Sequence, residues 1–267
     1  RSTPKPSSAA SDVYKRQATY HVLLDAKKII EETLTKVKCI TVSTNALKDT
    51  MKRYNDNVII LPNYLSWRIW KNKKEYKPSS NQAKILISGT SAHFHHLQFF
   101  EDVFKKLAQI YKNRIEFIVY GIINTHEEYT FIEKLGLRHI RGHIDYRNHA
   151  STLKRLKVDF AIVPIFDTPF NRCKSNIKWL EYSICKIPGI YSNVEPYRCI
   201  ENEKTGLLVE NDLAQWEETI VRLIEDVDLR IHLARNAYKE VKTNYLLEDH
   251  IDEWWQVYKS VIEEVQR

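Results

Sequence analysis

Glycine is scarce in this chain. Its 267 residues hold six, none in a Gly-x-Gly-x-x-Gly run. That spacing lets a strand-to-helix turn close over the pyrophosphate of a dinucleotide, so a Rossmann-type oxidoreductase lacks its fingerprint here. Long apolar runs are missing too: no stretch approaches the ~20 residues that a membrane-spanning helix needs. Cysteine is limited to Cys39, Cys173, Cys185 and Cys199; they stand without metal-ligand spacing and read as the reduced thiols of a cytoplasmic protein. The pair His95-His96 has no Asp or Glu at ligand spacing, reads as the solvated start of a helix, and gives no reason to expect a metal. There is no zinc finger, homeodomain or aromatic RNA-binding signature to turn the net charge of +7 into a nucleic-acid surface. The basic residues are spread as solvated helix faces would be. Weak peripheral contact with anionic lipid is the one charge-driven partner left open.

Part of that charge sits in residues 1–17, RSTPKPSSAASDVYKRQ, where Arg1, Lys5, Lys15 and Arg16 against Asp12 leave +4 of the +7 for the rest. This leader is rich in Ser and Pro and has no apolar core after its basic residues, unlike a targeting peptide. Its end, DVYKRQ, resembles the translation of a transposon end used in preparing DNA libraries. The expectation is a sequencing artefact ahead of a reading frame that enters mid-gene near Ala18.

From there on, strands alternate with helices, which is the pattern of an α/β protein with a doubly wound parallel sheet. Strands are expected at Val37–Thr44, Val58–Pro62, Lys84–Ser88, Glu116–Tyr120, His139–Arg141, Asp159–Ile165, Gly189–Ser192 and Gly206–Val209. After Thr90, the positions Leu97, Phe100, Phe104, Leu107, Ala108 and Tyr111 form one helical stripe; a further helix is expected at Asn148–Leu156. The polar run Lys71–Gln82, KNKKEYKPSSNQ, reads as a linker between domains. The expected units are therefore a short segment 18–75, a main domain 83–246, and a terminal helix 247–267. That helix carries Ile251, Trp254, Trp255 and Tyr258 at helical spacing and calls for a surface to dock on.

The most informative stretch is Phe166–Pro188, FDTPFNRCKSNIKWLEYSICKIP. It follows an apolar run closed by Pro164, so it reads as strand, polar loop, then a helix from about Lys174 that Pro188 and Gly189 stop. In a doubly wound sheet such a loop lies at the carboxyl edge of the strands, where helix-start N–H groups can hold an anion. A lysine at a helix start opposes the dipole unless an anion shares the site. Further along, Lys178 and Glu181 fall near the same face, which puts a phosphate-binding mouth and a carboxylate able to accept sugar hydroxyls within one ligand's length. Elsewhere, the turn Ser88-Gly89-Thr90-Ser91-Ala92-His93 and the strand end Tyr120-Gly121 offer close backbone approach to a phosphate. His143 and Tyr146 open the helix that follows and by themselves read as a capped helix start with a packed tyrosine.

The run Asn171-x-x-Lys174-Ser175-x-x-Lys178-x-x-Glu181-Tyr182, with Pro188, Ser192 and Pro196-Tyr197 after it, resembles the donor-binding segment of GT-B glycosyltransferases of the family 4 (group 1) type. Glu181 matches the second glutamate of that family's Glu-x7-Glu motif; the first falls on Cys173, and the loop is written FN-x-x-KS instead. His96 falls where the family often has Asp. The resemblance implies a Rossmann-like donor-side domain together with the tail end of a second Rossmann-like, acceptor-side domain, to which the last helix crosses back. It implies transfer of a sugar from a nucleoside diphosphate sugar to a saccharide or lipid-linked acceptor, with retention and without a metal or other cofactor. Lys174 and Glu181 take the catalytic roles. Gly89, Thr90, His93, Tyr120, Gly121, His143, Tyr146, Thr168, Asn171, Ser175 and Lys178 take the donor-binding ones. The implied place is the cytoplasm, peripheral at the inner membrane face, and with one domain mostly missing the chain alone is expected to be inactive. A nucleotide-sugar-binding module without turnover is the alternative that Cys173 keeps open.

Overall fold

The computed structural model describes residues 25–71, 76–79, 82–90, 93–142 and 145–266. By their contacts the described residues form two compact units, one of 25–61 with 257–266 and one of 62–256. In the first unit, helix α1 (25–36) is followed by strand β1 (Ile40–Val42), helix α2 (Asn45–Met51) and strand β2 (Val58–Ile60). The two strands pair in parallel, Ile40 opposite Val58, over a small core of Ile40, Val42 and Val58. Strand β1 is shorter than Val37–Thr44 because Thr44 leaves it to cap α2, its hydroxyl accepting from the Leu47 N–H at 3.2 Å.

The second unit opens with a one-turn helix α3 (Trp67–Trp70) and is then built on six strands: β3 (Ala83–Gly89), β4 (Ile115–Gly121), β5 (Arg138–Ile140), β6 (Phe160–Val163), β7 (Gly189–Ser192) and β8 (Leu207–Val209). All neighbours are parallel, in the order β5-β4-β3-β6-β7-β8. This is the doubly wound order, and it reverses direction between β3 and β6, which is where ligands enter such sheets. Side-chain alternation sends Ile85, Ile87, Phe117 and Val119 to one face, and Leu86, Ile118 and Tyr120 to the other. Both faces are covered, as all-parallel sheets require. Helices α4 (Phe94–Phe99), α5 (Glu101–Tyr111), α6 (His126–Lys134) and α10 (Leu213–Glu225) supply the first cover. Helices α7 (Tyr146–Arg155), α9 (Ile177–Ile184) and α11 (Val227–Asn244) supply the second. The remaining helices are α8 (Pro169–Arg172) and α12 (Leu247–Gln266).

Three expectations change. The stripe after Thr90 is two helices, broken at Phe100, whose backbone (φ −93°, ψ 5°) leaves the α region while its side chain stays fully buried. The helix expected from about Lys174 starts later: Thr168 caps a short α8 in the segment expected as a turn, and α9 begins only after Asn176, so Lys174 lies in the loop between them. Nor does the division into units fall at Lys71–Gln82. It comes between Leu61 and Pro62, because Leu65 and Trp70, both fully buried, belong to the second unit's core. The polar residues beyond are tied to buried Asp159: its carboxylate accepts from the N–H groups of Ser79 (2.7 Å) and Lys84 (2.8 Å), and its carbonyl from the Tyr76 hydroxyl (2.7 Å).

Candidate functional site

The site is assembled at the carboxyl ends of β3 and β4, beside the reversal of strand order. Gly89 and Gly121 end these strands opposite each other. Gly121 has φ +72°, and a Cβ there would stand 2.2 Å from the Gly89 carbonyl oxygen, so no other residue fits without moving the backbone. Gly142, at the end of β5, closes the corner: a Cβ on it would come within 3.1 Å of the Gly121 Cα. A Cβ on Gly89 would strike the His93 ring at 2.7 Å, so this glycine lets the imidazole fold back over the end of β3. Burial, and after it the charges of Lys178 and Lys174, lower the His93 pKa to about 2. A neutral imidazole therefore faces the corner at any physiological pH.

Helix α9 closes over the same strand end. Lys178 donates to the Ser88 carbonyl at 2.5 Å, and one turn on the Tyr182 hydroxyl shares a 2.5 Å hydrogen bond with the Ser88 hydroxyl. Burial, followed by the charge of Lys174, pushes the Lys178 pKa down to about 7. Desolvation also lowers Lys174, whose ammonium sits over the Phe170 ring at 5.1 Å. Among the described residues, no carboxylate forms a salt bridge with either lysine. Asn176, the N-cap of α9, makes no side-chain capping bond, and no acidic residue occupies the first turn. Two cations, uncapped helix-start N–H groups and a glycine corner are together the elements of an anion site.

Glu181, three residues after Lys178, is buried in the middle of α9. Its carboxylate lies 3.1 Å from Nε2 of His149 on α7, and Nδ1 of that ring lies 3.1 Å from the Tyr120 hydroxyl. Tyr146, one turn before His149, receives the Trp70 indole N–H at 2.9 Å. Burial and the nearby Glu181 carboxylate both raise its phenol pKa. Tyr120 thus reaches the site through His149 rather than directly.

Other residues singled out from the sequence serve the loop itself. The Thr168 hydroxyl accepts from the Asn171 N–H at 3.2 Å and the buried Asn171 amide donates to the Phe166 carbonyl at 2.9 Å, so both shape the turn. Ser175 accepts from the Asn63 amide at 2.7 Å. Thr90 is exposed at the turn, its carbonyl accepting from His93 N–H at 2.9 Å. His143 lies outside the described residues. His96 is not solvated: it is 2% exposed and its ring stacks among His95 and Phe166, with centroids 3.8 Å and 4.7 Å away. Residues that a reading of the sequence passes over are His149 and Gly142. Neither leaves a signal in the sequence that points to the site.

The family described as glycosyl transferase-like matches residues 97–256, more than half of the chain and the whole of the β4–α11 region. The chain belongs to that family. Comparison with curated proteins gives no significant match. Among solved structures, the fold of this glycosyl transferase-like chain is similar to sucrose-phosphate synthase from Thermosynechococcus elongatus (TM-score 0.66, 17% identity, 89% of this chain and 61% of that one). It is similar to Anabaena HepE in complex with UDP and glucose (TM-score 0.63, 13% identity, 84% and 63%), and to a TarM variant from S. aureus solved with UDP (TM-score 0.63, 16% identity, 88% and 46%). At these identities the likeness concerns the Rossmann-like GT-B fold, and the chain spans less than two-thirds of each of those proteins.

Proposed function

We propose that this chain carries the donor side of a glycosyltransferase that moves a sugar from a nucleoside diphosphate sugar to a hydroxyl of a saccharide or lipid-linked acceptor in glycan biosynthesis. The observation that carries the reading is the pairing of Lys178 and Lys174 with the Gly89–Gly121 corner at the point where strand order reverses. The two lysines and the glycine corner make a cationic mouth, with Glu181 three residues beyond Lys178. In that role Lys174, Lys178 and the first N–H groups of α9 hold the diphosphate and stabilise its charge as it departs, the work a divalent metal does in other enzymes. No metal is invoked. Neutral His93 offers a hydrogen bond at the same end, and Glu181 accepts from ribose hydroxyls. The glycosyl group is transferred with retention, at the cytoplasmic side of the membrane where a lipid-linked acceptor is presented; no described helix is long and apolar enough to span a bilayer.

Cys173, where the resembled motif has its first glutamate, favours a second reading: a module that binds the nucleotide sugar without turnover. Thermal denaturation tests what both readings share. UDP or GDP is expected to raise the midpoint, since a ligand of the folded state alone adds stability. Lys174→Ala should weaken that binding by ~1.5–3 kcal/mol, the scale of a charge-assisted hydrogen bond. Equal binding by wild type and Lys174→Ala, or no stabilisation by either nucleotide, contradicts the assignment. Sugar transfer from a donor of the preferred base then separates enzyme from binding module.

A further inference from the structure

A glutamate that accepts two vicinal hydroxyls has to hold one rotamer, against the rotamer entropy that its side chain gives up in doing so. Glu181 has a device for this. Its Oε2 stands 3.1 Å from His149 Nε2, and His149 Nδ1 stands 3.1 Å from the Tyr120 hydroxyl. The partners assign the tautomer. A carboxylate only accepts, so Nε2 carries the proton, and the Tyr120 hydroxyl donates to Nδ1. The ring cannot turn away, because it is stacked on Tyr120 (centroids 5.5 Å, planes 8° apart) and on Tyr146 (6.2 Å, 22°). Trp70 meets it edge-on at 6.1 Å and anchors Tyr146 through its indole N–H. His149 takes one lone pair of Oε2, and the Tyr146 hydroxyl is a second hydrogen-bond partner of the same carboxylate.

We infer that His149 is a positioning residue for nucleotide recognition: held by Tyr120, Tyr146 and Trp70, it fixes the Glu181 carboxylate in the orientation that selects a ribose over a deoxyribose. The inference rests on the reading of Glu181 as the ribose acceptor. It gives Tyr120 and Trp70, neither of which reaches the diphosphate corner, a place in the same task. The residue acts only through Glu181, so its removal should be felt only by ligands that have the hydroxyls.

The test is the ratio of dissociation constants, measured by calorimetry, for UDP and 2′,3′-dideoxy-UDP, or for the GDP pair if GDP binds more tightly. Wild type is expected to favour the ribonucleotide by on the order of tenfold or more, the worth of hydrogen bonds to a charged acceptor. Glu181→Ala should bring the ratio near one. His149→Ala should cut it at least threefold with little change for the dideoxynucleotide, and adding His149→Ala to Glu181→Ala should change the ratio no further. Tyr120→Phe keeps the stacked ring and removes only the hydroxyl; it should lower the ratio in the same direction by less, and it keeps the test decisive if His149→Ala does not fold. Equal weakening of both ligands by His149→Ala, or an unchanged ratio in both His149→Ala and Tyr120→Phe, overturns the positioning role while Glu181 keeps its own. An unchanged ratio in Glu181→Ala overturns the ribose reading itself and the inference with it.

Discussion

The Lys178 ammonium donates to the Ser88 carbonyl oxygen at 2.5 Å, which fastens helix α9 to the last turn of strand β3 and places a cation at the mouth of the sheet. With one carbonyl, a second lysine nearby and little water, its pKa falls to about 7, so at neutral pH it is only partly protonated. A bound diphosphate favours the charged form. Binding should therefore take up protons near pH 7, and affinity should fall as pH rises through that value. Calorimetry in buffers of different ionisation enthalpy reads the uptake. Lys178→Met should remove it, while the titration of the diphosphate itself is common to both proteins and cancels in the comparison.

His96 predicts the acid response. Burial, and then its histidine and lysine neighbours, lower its pKa from 6.5 to about 3, and among the described residues neither ring nitrogen has a hydrogen-bond partner. The unfolded chain binds a proton below about pH 6.5 that the folded chain refuses until about pH 3. This contribution to stability is thus intact above 6.5 and shrinks as pH falls through that window. His96→Phe should be more stable at pH 7 by ~1 kcal/mol, since two unpaired polar atoms are removed. It should also lose less of its urea midpoint between pH 7 and pH 5 than wild type does.

Gly121 and Gly136 share a left-handed backbone, φ +72° and +66°, but only Gly121 has a neighbour where a Cβ would go. Gly136→Ala should cost the ~1–2 kcal/mol of the backbone conformation. Gly121→Ala should cost more and also weaken nucleotide binding, because the strand ends must part. Urea denaturation of the two variants, with binding measured on both, separates strain from steric exclusion.

Asp159 is 1% exposed, and its two carboxylate oxygens each take a backbone N–H, from Ser79 and Lys84. Asp159→Ala leaves both donors unpaired at the start of β3 and should destabilise by ~2–4 kcal/mol, the largest effect expected of any polar substitution proposed here. Hydrogen exchange should locate the loosening at residues 76–84 rather than at the site.

Each of the eight strands overlaps a segment expected from apolar runs and their Gly or Pro boundaries, with β3, β4 and β5 reaching one residue beyond it, because a strand buried on both faces writes its apolar character continuously into the chain. Helix interruptions were not legible. Phe100 continues the apolar stripe by type, and only its backbone angles break it; Lys174 and Ser175 have ordinary helix propensities, yet α9 starts later, after Asn176. The unit boundary was misplaced because Lys71–Gln82 looks like a linker by composition, whereas Leu65 and Trp70 are committed to the second core by tertiary contacts alone. Lys174, Lys178 and Glu181 could be read from spacing, since one helix and its preceding loop hold all three. His149 could not, because its meaning depends on Glu181 in another helix 32 residues away in sequence, and a lone mid-helix histidine looks solvated.

The account stands on a nucleoside diphosphate lying across the ends of β3 and α9. Hydrogen–deuterium exchange with and without UDP or GDP, whichever stabilises the protein, locates it most directly. Protection is expected at the turn after Gly89 and in the stretch from Lys174 to Tyr182, with nothing comparable in α6 or α10. Protection confined to other segments, such as the 420 Å³ cleft between Phe94 and Phe131, or no protection at all with saturating nucleotide, would contradict it.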